Sequence, residues 1–214
     1  QTCALPISQG LASYQFAEDC AWDRLNWSQK LQDLAFESDV VCFGTLGQRS
    51  IHSRQTIHQF LNYTKPTTLR IFDINIRQPY FHDALIESSL KLANILKLND
   101  EELPILAAAF KLTGSDEAIL SALCERFDLR VAALTRGADG STVVAADHQI
   151  TTLGVKAEVA YTVGAGDAFT ASLAIHLLRG MELERACEHA NALAAYVCSQ
   201  SGATMPFPVH LKLG

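Results

Sequence analysis

Short β-rich apolar runs alternate with helical patterns along most of this chain, and this alternation limits the folds that it can adopt. The predicted strands span residues 39–46, 69–75, 94–99 and 130–137. The predicted helices among them span residues 54–63, 83–93, 100–111 and 116–127. Helices that connect successive strands favour parallel pairing, with the sheet covered on both faces. We therefore predict an α/β fold with a doubly wound, mainly parallel sheet.

The pattern changes in the last third of the chain. The run "STVVAA" follows the turn-like "GADG" and predicts a strand that runs back along the preceding one. Two helical patterns, residues 165–179 and 183–199, come after it. We expect both helices to pack on the sheet.

Charge and hydropathy argue against two classes of partner. The formal net charge is −6 and no long Lys/Arg run occurs, so we expect neither nucleic-acid binding nor an anionic-membrane surface. No apolar run reaches the roughly 18 residues that span a bilayer, and the N-terminus lacks a basic region followed by an apolar core. The six cysteines show no C-x-x-C spacing, which indicates reduced thiols. These features predict a cytoplasmic globular protein.

The first seven residues, "QTCALPI", show no periodicity that leads into the following segment. They read as the in-frame translation of a sequencing adapter, so we expect residues 1–7 to be a non-native leader and the natural protein to begin near Ser8. An ordinary disordered terminus is the alternative. On this interpretation, residues 8–214 are part of a longer protein.

The stretch "YTVGAGDAF", residues 161–169, lies between a β-like segment and an apolar helical pattern. Gly164 and Gly166 permit backbone angles that let successive N–H groups converge in front of a helix. A helix N-terminus adds unpaired donors and partial positive charge, so the loop predicts an anion-binding site.

Asp167 falls in the first turn of the helix that follows this loop. A carboxylate there repels a phosphate, but it can accept the proton of a hydroxyl that attacks phosphorus. Asp167 is therefore a candidate general base. The alternative is that Asp167 only stabilises the first helical turn electrostatically, and the loop alone does not decide between the two.

Polar residues also follow three of the predicted strands, at the sheet edge where ligands of open parallel sheets bind. They are Asp73, Asn75 and Arg77; Lys97, Asn99 and Glu102; and Thr135, Gly137 and Gly140. Taken singly, Asn99 and Glu102 can form a helix capping box, and "GADG" can be a hairpin turn. Together with the glycine loop, these residues suggest a site for a phosphate-bearing ligand and a metal.

Several motifs, in this order, resemble those of the ribokinase-like (PfkB) carbohydrate kinases. "TVGAGDAFTASLA" resembles the second family signature, "KLNDEE" the N-x-x-E motif, and "LTRGADGS" the nucleotide-binding strand and turn. "FGTLGQRS", "FDINIRQPYF" and "LKLNDEEL" are most similar to the fructokinase branch. The resemblance implies an ATP-dependent sugar kinase, most like a fructokinase, whose partners are ATP and a small sugar. It is compatible with a homodimer for the intact parent.

The resemblance also implies roles for residues around the transferred phosphoryl group. Asp167 matches the catalytic base. Two residues match those that organise Mg²⁺ around the ATP phosphates. Asn99 is on the nucleotide side, and Glu102 would act on the metal through water. The anion hole of the family is matched by Gly164, Ala165 and Gly166.

Other positions match nucleotide, cation and substrate contacts of the family. Thr135 and Gly137 match nucleotide contacts, and Asn191 matches a residue near the adenine. The backbone of Val163 and Gly202 matches the carbonyls that hold a monovalent cation, K⁺. The segment that closes the nucleotide pocket is resembled by Gly202, Ala203 and Thr204. The D-x-N-x-R element beside the active site is resembled by Asp73, Asn75 and Arg77.

Two departures from the family pattern stand out. Tyr161 occupies the position of an Asp that helps to bind the monovalent cation in the family. No match is found for the first family signature, the G-G-x-x-x-N sugar-contacting element or the small β lid. We therefore expect the N-terminal part and the lid to be missing. We also expect the fragment to be inactive. Two alternatives stay open: a kinase of another small molecule, such as a nucleoside or 2-keto-3-deoxygluconate, and a degenerate nucleotide-binding module.

Overall fold

The structure, a computed structural model, describes residues 2–8, 11–77, 80–145, 148–202, 205–208 and 211. Two strands come first, β1 (Thr2–Ser8) and β2 (Leu11–Phe16), and they pair antiparallel as a separate sheet. This hairpin was not predicted from the sequence. It was missed because strand formation depends on the partner strand more than on local pattern. The assignment of residues 1–7 as a non-native leader stays a prediction.

The main sheet has six strands whose order in space follows their order in the sequence. They are β3 (Val40–Phe43), β4 (Leu69–Asp73), β5 (Ile95–Asn99), β6 (Val131–Thr135), β7 (Ser141–Ala145) and β8 (His148–Thr152). Strands β3 to β6 are parallel, whereas β7 and β8 are antiparallel additions. The predictions of β3 to β7 are confirmed. Strand β8 was missed because its sequence, "HQITT", is polar and largely exposed.

The helices of the described residues cover both faces of this sheet, as predicted. They are α1 (Gln29–Glu37), α2 (Ile51–Tyr63), α3 (Asp83–Leu92), α4 (Leu103–Phe110), α5 (Asp116–Phe127), α6 (Ala165–Leu178) and α7 (Leu183–Cys198). Helix α1, which Ser28 caps, was not predicted. None of the helices in this part of the chain combines the length and apolar character of a membrane span.

Neighbouring residues of β4 and β5 point into two separate cores, because side chains alternate across a strand. Phe72 and Leu96 belong to the core formed with α2 to α5, and Ile71 and Ile95 to the core formed with α6 and α7. Crossovers between parallel strands are right-handed, so strands added in one direction place their connecting helices on one face. Within the described residues the strand order does not reverse, and the second face is covered by α6 and α7, which follow β8.

Candidate functional site

The carboxyl ends of β4, β5 and β6 meet the N-terminal end of helix α6. The parallel register places Asp73 beside Lys97 and Asn99 beside Thr135. From helix α6, the hydroxyl of Thr170 lies 3.1 Å from Oδ2 of Asp73. The polar residues predicted at three strand ends are therefore brought to the same edge as the glycine loop.

A polar cavity of about 470 Å³ opens at this edge. The predicted site residues that line it are Asp73, Asn75, Arg77, Asn99, Glu102, Thr135, Val163, Gly164, Gly166 and Asp167. Ten residues chosen from separate motifs thus surround one space, although their individual roles stay predictions. Phe16, Leu46, Lys97 and Thr162 complete the lining.

A second, mainly apolar cavity of about 510 Å³ lies next to the first. Its lining includes Gly137 and Asn191, which were predicted as nucleotide contacts, and Ala165 of the predicted anion hole. The two cavities share three lining residues, Thr135, Thr162 and Gly166. The backbone at Gly166 therefore stands at the junction between an apolar and a polar compartment.

The glycine loop has the geometry that its sequence predicts. Gly164 adopts a left-handed conformation with φ of 90°, and helix α6 begins at the next residue. At the start of the helix, the N–H of Ala168 donates to the carbonyl of Gly164 at 2.9 Å. Backbone N–H groups earlier in a helix have no acceptor within that helix. Asp167 is exposed in this first turn and borders the polar cavity.

Asn99 and Glu102 make the reciprocal hydrogen bonds of the capping box that was the alternative interpretation of the N-x-x-E motif, in the turn before α4. Oδ1 of Asn99 accepts the N–H of Glu102 at 2.9 Å, and Oε2 of Glu102 accepts the N–H of Asn99 at 2.9 Å. Oε1 of Glu102 also accepts the N–H of Ile76 at 2.8 Å, which ties the end of β5 to the segment after β4. Capping does not exclude a metal role, because each carboxylate oxygen has two lone pairs.

Glu102 is a buried carboxylate on a cavity wall. Burial raises the pKa of its carboxyl group, whereas the N–H groups of Asn99 and Ile76 and the charge of Lys97 favour the ionised form. No group of three or more His, Cys, Asp and Glu side chains is placed to hold a metal ion within the described residues. Any Mg²⁺ here would therefore depend on Glu102, Asn99, water and ligand oxygens.

Lys97 was predicted as one of the polar residues at the strand ends, but the sequence analysis gave it no individual role. Its ammonium lies 3.2 Å from Oδ1 of Asp73, and the two side chains are only 9% and 10% exposed. Burial raises the pKa of the Asp73 carboxyl, and Lys97 opposes that rise. The sequence feature that could have indicated such a role is a charged residue inside the mainly apolar run "ILKLN".

Phe16 was missed for a different reason, since it ends the unpredicted strand β2. Its ring contacts Tyr80 edge-on, with 6.3 Å between ring centroids, and it forms part of the polar cavity wall. No motif in the sequence indicates this contact. The segment of residues 154–157, which walls the apolar cavity, was also not predicted.

The turn after β6 depends on close backbone packing. A Cβ on Gly140, where φ is 93°, would lie 2.1 Å from the carbonyl oxygen of Thr152. Only glycine fits there, so the turn can approach the strand end beside the apolar cavity. Within that cavity wall, Nδ2 of Asn191 donates to Oγ of Ser141 at 3.0 Å, and this bond fixes the amide of Asn191.

Val163 and Gly202, the two residues suggested for a cation site, differ in their position relative to the cavities. Val163 lines the polar cavity, whereas Gly202 lines neither cavity. Tyr161 is held by its N–H, which donates to the carbonyl of Cys198 at 3.0 Å. The predictions for Ala203 and Thr204 lie outside the described residues.

Comparison with known proteins gives consistent matches. A putative sugar kinase from Pyrococcus horikoshii is 26% identical over 200 residues, covering 89% of this chain and 60% of that protein. A fructokinase from Rhizobium leguminosarum bv. trifolii is 27% identical over 172 residues, covering 78% and 51%. An aminoimidazole riboside kinase from Salmonella typhimurium is 29% identical over 154 residues, covering 66% and 47%.

The fold agrees with these matches. The crystal structure of the P. horikoshii protein in complex with ATP superposes with a TM-score of 0.75 at 24% identity, covering 92% of this chain and 63% of that one. The chain thus spans roughly half to two thirds of the length of these relatives. A family model described as pfkB family carbohydrate kinase matches residues 15–210. Since that match includes nearly the whole chain, the chain belongs to the pfkB family of carbohydrate kinases.

Proposed function

We propose that this chain is the nucleotide-binding part of an ATP-dependent kinase that moves the γ-phosphoryl group of Mg-ATP to a sugar hydroxyl. The observation that carries the proposal is the meeting of an apolar and a polar cavity at Gly166, beside a helix N-terminus and Asp167. In such a junction, the phosphoryl donor fits the apolar side and the base fits the polar side. A cytoplasmic enzyme that needs neither nucleic acid nor membrane is part of this proposal.

The apolar cavity is the proposed nucleotide site. Its lining of small and apolar residues suits an adenine ring, and the buried amide of Asn191 offers a polar group beside it. A nucleotide placed there directs its phosphates toward Gly164 and Gly166, where the N–H groups of α6 begin. The ATP complex of the P. horikoshii relative supports ATP as the nucleotide.

Asp167 is the proposed base on the polar side of the junction. It is exposed toward the cavity, so an acceptor hydroxyl can reach it. Its carboxylate would take the proton of that hydroxyl while the oxygen attacks phosphorus. The N–H groups of the loop would stabilise the charge on the transferring group.

Mg²⁺ and K⁺ are the proposed cations. The oxygen atoms of Glu102 and Asn99 fit a hard divalent ion bound through water, and Mg²⁺ would neutralise charge on the ATP phosphates. Backbone carbonyls of Val163 and Gly202 are the proposed ligands for K⁺. The K⁺ proposal is supported by the family resemblance of the loop.

A fructokinase-like acceptor is the preferred substrate. The R. leguminosarum fructokinase supports a hexose, whereas the aminoimidazole riboside kinase supports a nucleoside as the second candidate. Asn75 and Arg77 are the stronger substrate-side candidates on the polar cavity wall. Both carboxylate oxygens of Asp73 lie within hydrogen-bond distance of Lys97 or Thr170, so Asp73 is better suited to positioning other groups.

The proposal can be tested in two steps. Titration calorimetry of the chain with ATP, ADP and adenosine should show binding of all three, because the apolar cavity is within the described residues. A version completed with the N-terminal half of a pfkB relative should then release ADP from Mg-ATP with a sugar. Fructose, a nucleoside and 2-keto-3-deoxygluconate are the acceptors to compare. Absence of nucleotide binding by the correctly folded chain would contradict the proposal.

Replacing Tyr161 by Asp is expected to raise turnover of the completed enzyme and to introduce or strengthen activation by K⁺. An Asp carboxylate supplies a negative oxygen close to the backbone, whereas a tyrosine phenol is neutral at pH 7 and farther from it. Turnover of both forms is compared in K⁺ and in a large inert cation at matched ionic strength. A Tyr161 form that is already fully active and equally dependent on K⁺ would show that backbone carbonyls suffice.

A further inference from the structure

Asn75 lies on the wall of the polar cavity with an unusual backbone conformation. Its φ is 47°, in the left-handed region that residues with a Cβ rarely adopt. Lys111 and Asp128 share this region, but each of them ends a helix, where a left-handed residue is common. Asn75 ends no helix, since it follows strand β4 and is exposed at the cavity. Its conformation must therefore be held by its surroundings.

Thr45 holds this backbone from the end of the neighbouring strand β3. The N–H and the hydroxyl of Thr45 both donate to the carbonyl of Ile74, at 3.2 Å and 2.9 Å. The hydroxyl also lies 3.3 Å from the carbonyl oxygen of Asn75. These two carbonyls belong to the two peptide groups on either side of the Asn75 Cα. One buried side chain therefore restrains both backbone angles of Asn75.

The peptide group after Asn75 is also held from its opposite side. Its N–H, which belongs to Ile76, donates to Oε1 of Glu102 at 2.8 Å. Thr45 thus restrains the carbonyl of this peptide group and Glu102 restrains the N–H. A left-handed residue persists where the surrounding structure fixes it in this way.

The turn that carries Thr45 is itself anchored. A Cβ on Gly44 would lie 2.8 Å from the carbonyl oxygen of Asp73, so the ends of β3 and β4 approach closely because residue 44 is glycine. The buried amide of Gln48 donates to the carbonyl of Gly44 at 2.9 Å and to Oγ of Ser89 at 3.0 Å. Thr45 therefore acts on Asn75 from a turn that is fixed to both β4 and α3.

We propose that Thr45 is a positioning residue for the phosphoryl acceptor, because its hydroxyl keeps Asn75 in the left-handed conformation at the cavity wall. A side chain whose backbone is fixed in advance loses less freedom when it binds the hydroxyl groups of an acceptor. This inference rests on the proposed function, since it takes the polar cavity to be the acceptor side of the junction. Thr45 itself does not line that cavity and acts through Asn75.

The first test compares turnover of the completed enzyme with and without the hydroxyl at position 45. Thr45→Val replaces the hydroxyl by a methyl group, and Thr45→Ser keeps it. With the acceptor that is phosphorylated fastest among fructose, a nucleoside and 2-keto-3-deoxygluconate, we expect Thr45→Val to lower kcat/KM about tenfold, mainly through the KM of the acceptor. The KM of ATP should stay unchanged, and Thr45→Ser should restore the acceptor KM.

Thr68→Val is the matched control for this comparison. Thr68 is also fully buried, and its hydroxyl donates to the carbonyl of Ser38 at 2.8 Å. This bond joins the opposite ends of the same two strands, β3 and β4, away from the cavity. The control loses an equivalent hydrogen bond, so we expect its acceptor KM to match that of the unchanged enzyme.

The second test measures the loop itself, without an acceptor. Hydrogen–deuterium exchange of the 214-residue chain should be faster at residues 74–77 in Thr45→Val, but not in Thr45→Ser or Thr68→Val. If Thr45→Val does not fold, Thr45→Ala takes its place, because Ala and Ser at this position differ by the hydroxyl oxygen alone.

Unchanged exchange at residues 74–77 in the variants without the hydroxyl would overturn the inference. An unchanged acceptor KM in an enzyme whose loop exchanges faster would also overturn it, as would an equal rise in the KM values of acceptor and ATP. If the completed enzyme with Thr45 in place phosphorylates no acceptor, the proposed function fails and the acceptor role of Thr45 fails with it. The exchange measurement distinguishes that case from a failure of Thr45 to hold the loop.

Discussion

Replacing Asp167 by Asn is expected to lower turnover of the completed enzyme by about 10² or more, while nucleotide affinity changes little. The substitution preserves the size of the side chain but removes its ability to accept a proton. Asp167 is exposed in the first turn of α6 and borders the polar cavity, so a change there need not disturb the core. The loss should therefore appear in the chemical step.

Turnover is measured as ADP release with saturating sugar and Mg-ATP, and nucleotide affinity by titration calorimetry. Asp83→Asn is the matched control, because Asp83 is also an acidic residue in the first turn of a helix, α3. We expect the control to keep its turnover. Unchanged turnover in the Asp167 variant would contradict its assignment as the base, and an equal loss in both variants would indicate a general effect of first-turn charge.

The 214-residue chain by itself is expected to show no measurable transfer to a sugar and to associate in solution. Phosphoryl transfer requires the sugar and ATP to be aligned within a closed site, and the alignment supplies much of the rate. The chain spans 51% of the fructokinase relative and 60% of the putative sugar kinase relative. It holds mainly the proposed nucleotide side of the junction.

Association is expected because of the strand edge and the apolar groove at the β3 end of the main sheet. Strand β3 is the terminal strand of the sheet within the described residues, and Cys42 on it is exposed. An apolar groove of about 370 Å³, lined by Val41, Phe43, Phe60 and Leu61 among others, lies beside it. Unpaired strand edges and apolar patches promote contact between chains.

The measurements are light scattering coupled to size-exclusion chromatography, and ADP release with a panel of sugars. The completed version of the chain serves as the control and should be both more monodisperse and active. A soluble, monodisperse 214-residue chain that phosphorylates fructose would contradict the prediction. Nucleotide binding without transfer would agree with it.

The parallel strands and most helices could be predicted from the sequence because their signals are local. Strands β4 to β6 are largely buried on both faces, so each appears as an apolar run. Strand β3 is also an apolar run, although Cys42 on it is exposed, and the helices that follow these strands show apolar periodicity. Strand β8 and the hairpin of β1 and β2 carry no such signal. Their formation depends on pairing with another strand, which a local pattern does not report.

Some features of the candidate site could likewise be predicted from the sequence, whereas others could not. The glycine loop was predictable because a left-handed backbone angle at Gly164 and a following helix are properties of adjacent residues. Strand-end residues such as Asn99 could be predicted to gather, because the carboxyl ends of parallel strands share one edge. The capping geometry of Asn99 and Glu102 was also one of the interpretations that the sequence suggested.

Tertiary structure alone decided how Lys97, Asp73 and Thr170 meet. Asp73 and Thr170 are separated by 97 positions along the chain, and only the packing of α6 on the sheet brings their side chains to 3.1 Å. Sequence was enough to predict the α/β class, the glycine loop and the residues at the strand ends, since those depend on local backbone preference and burial pattern. The close approach of the Lys97 ammonium to Gly166 of that loop depends on strand register and helix packing, which are set by interactions between residues distant in the sequence.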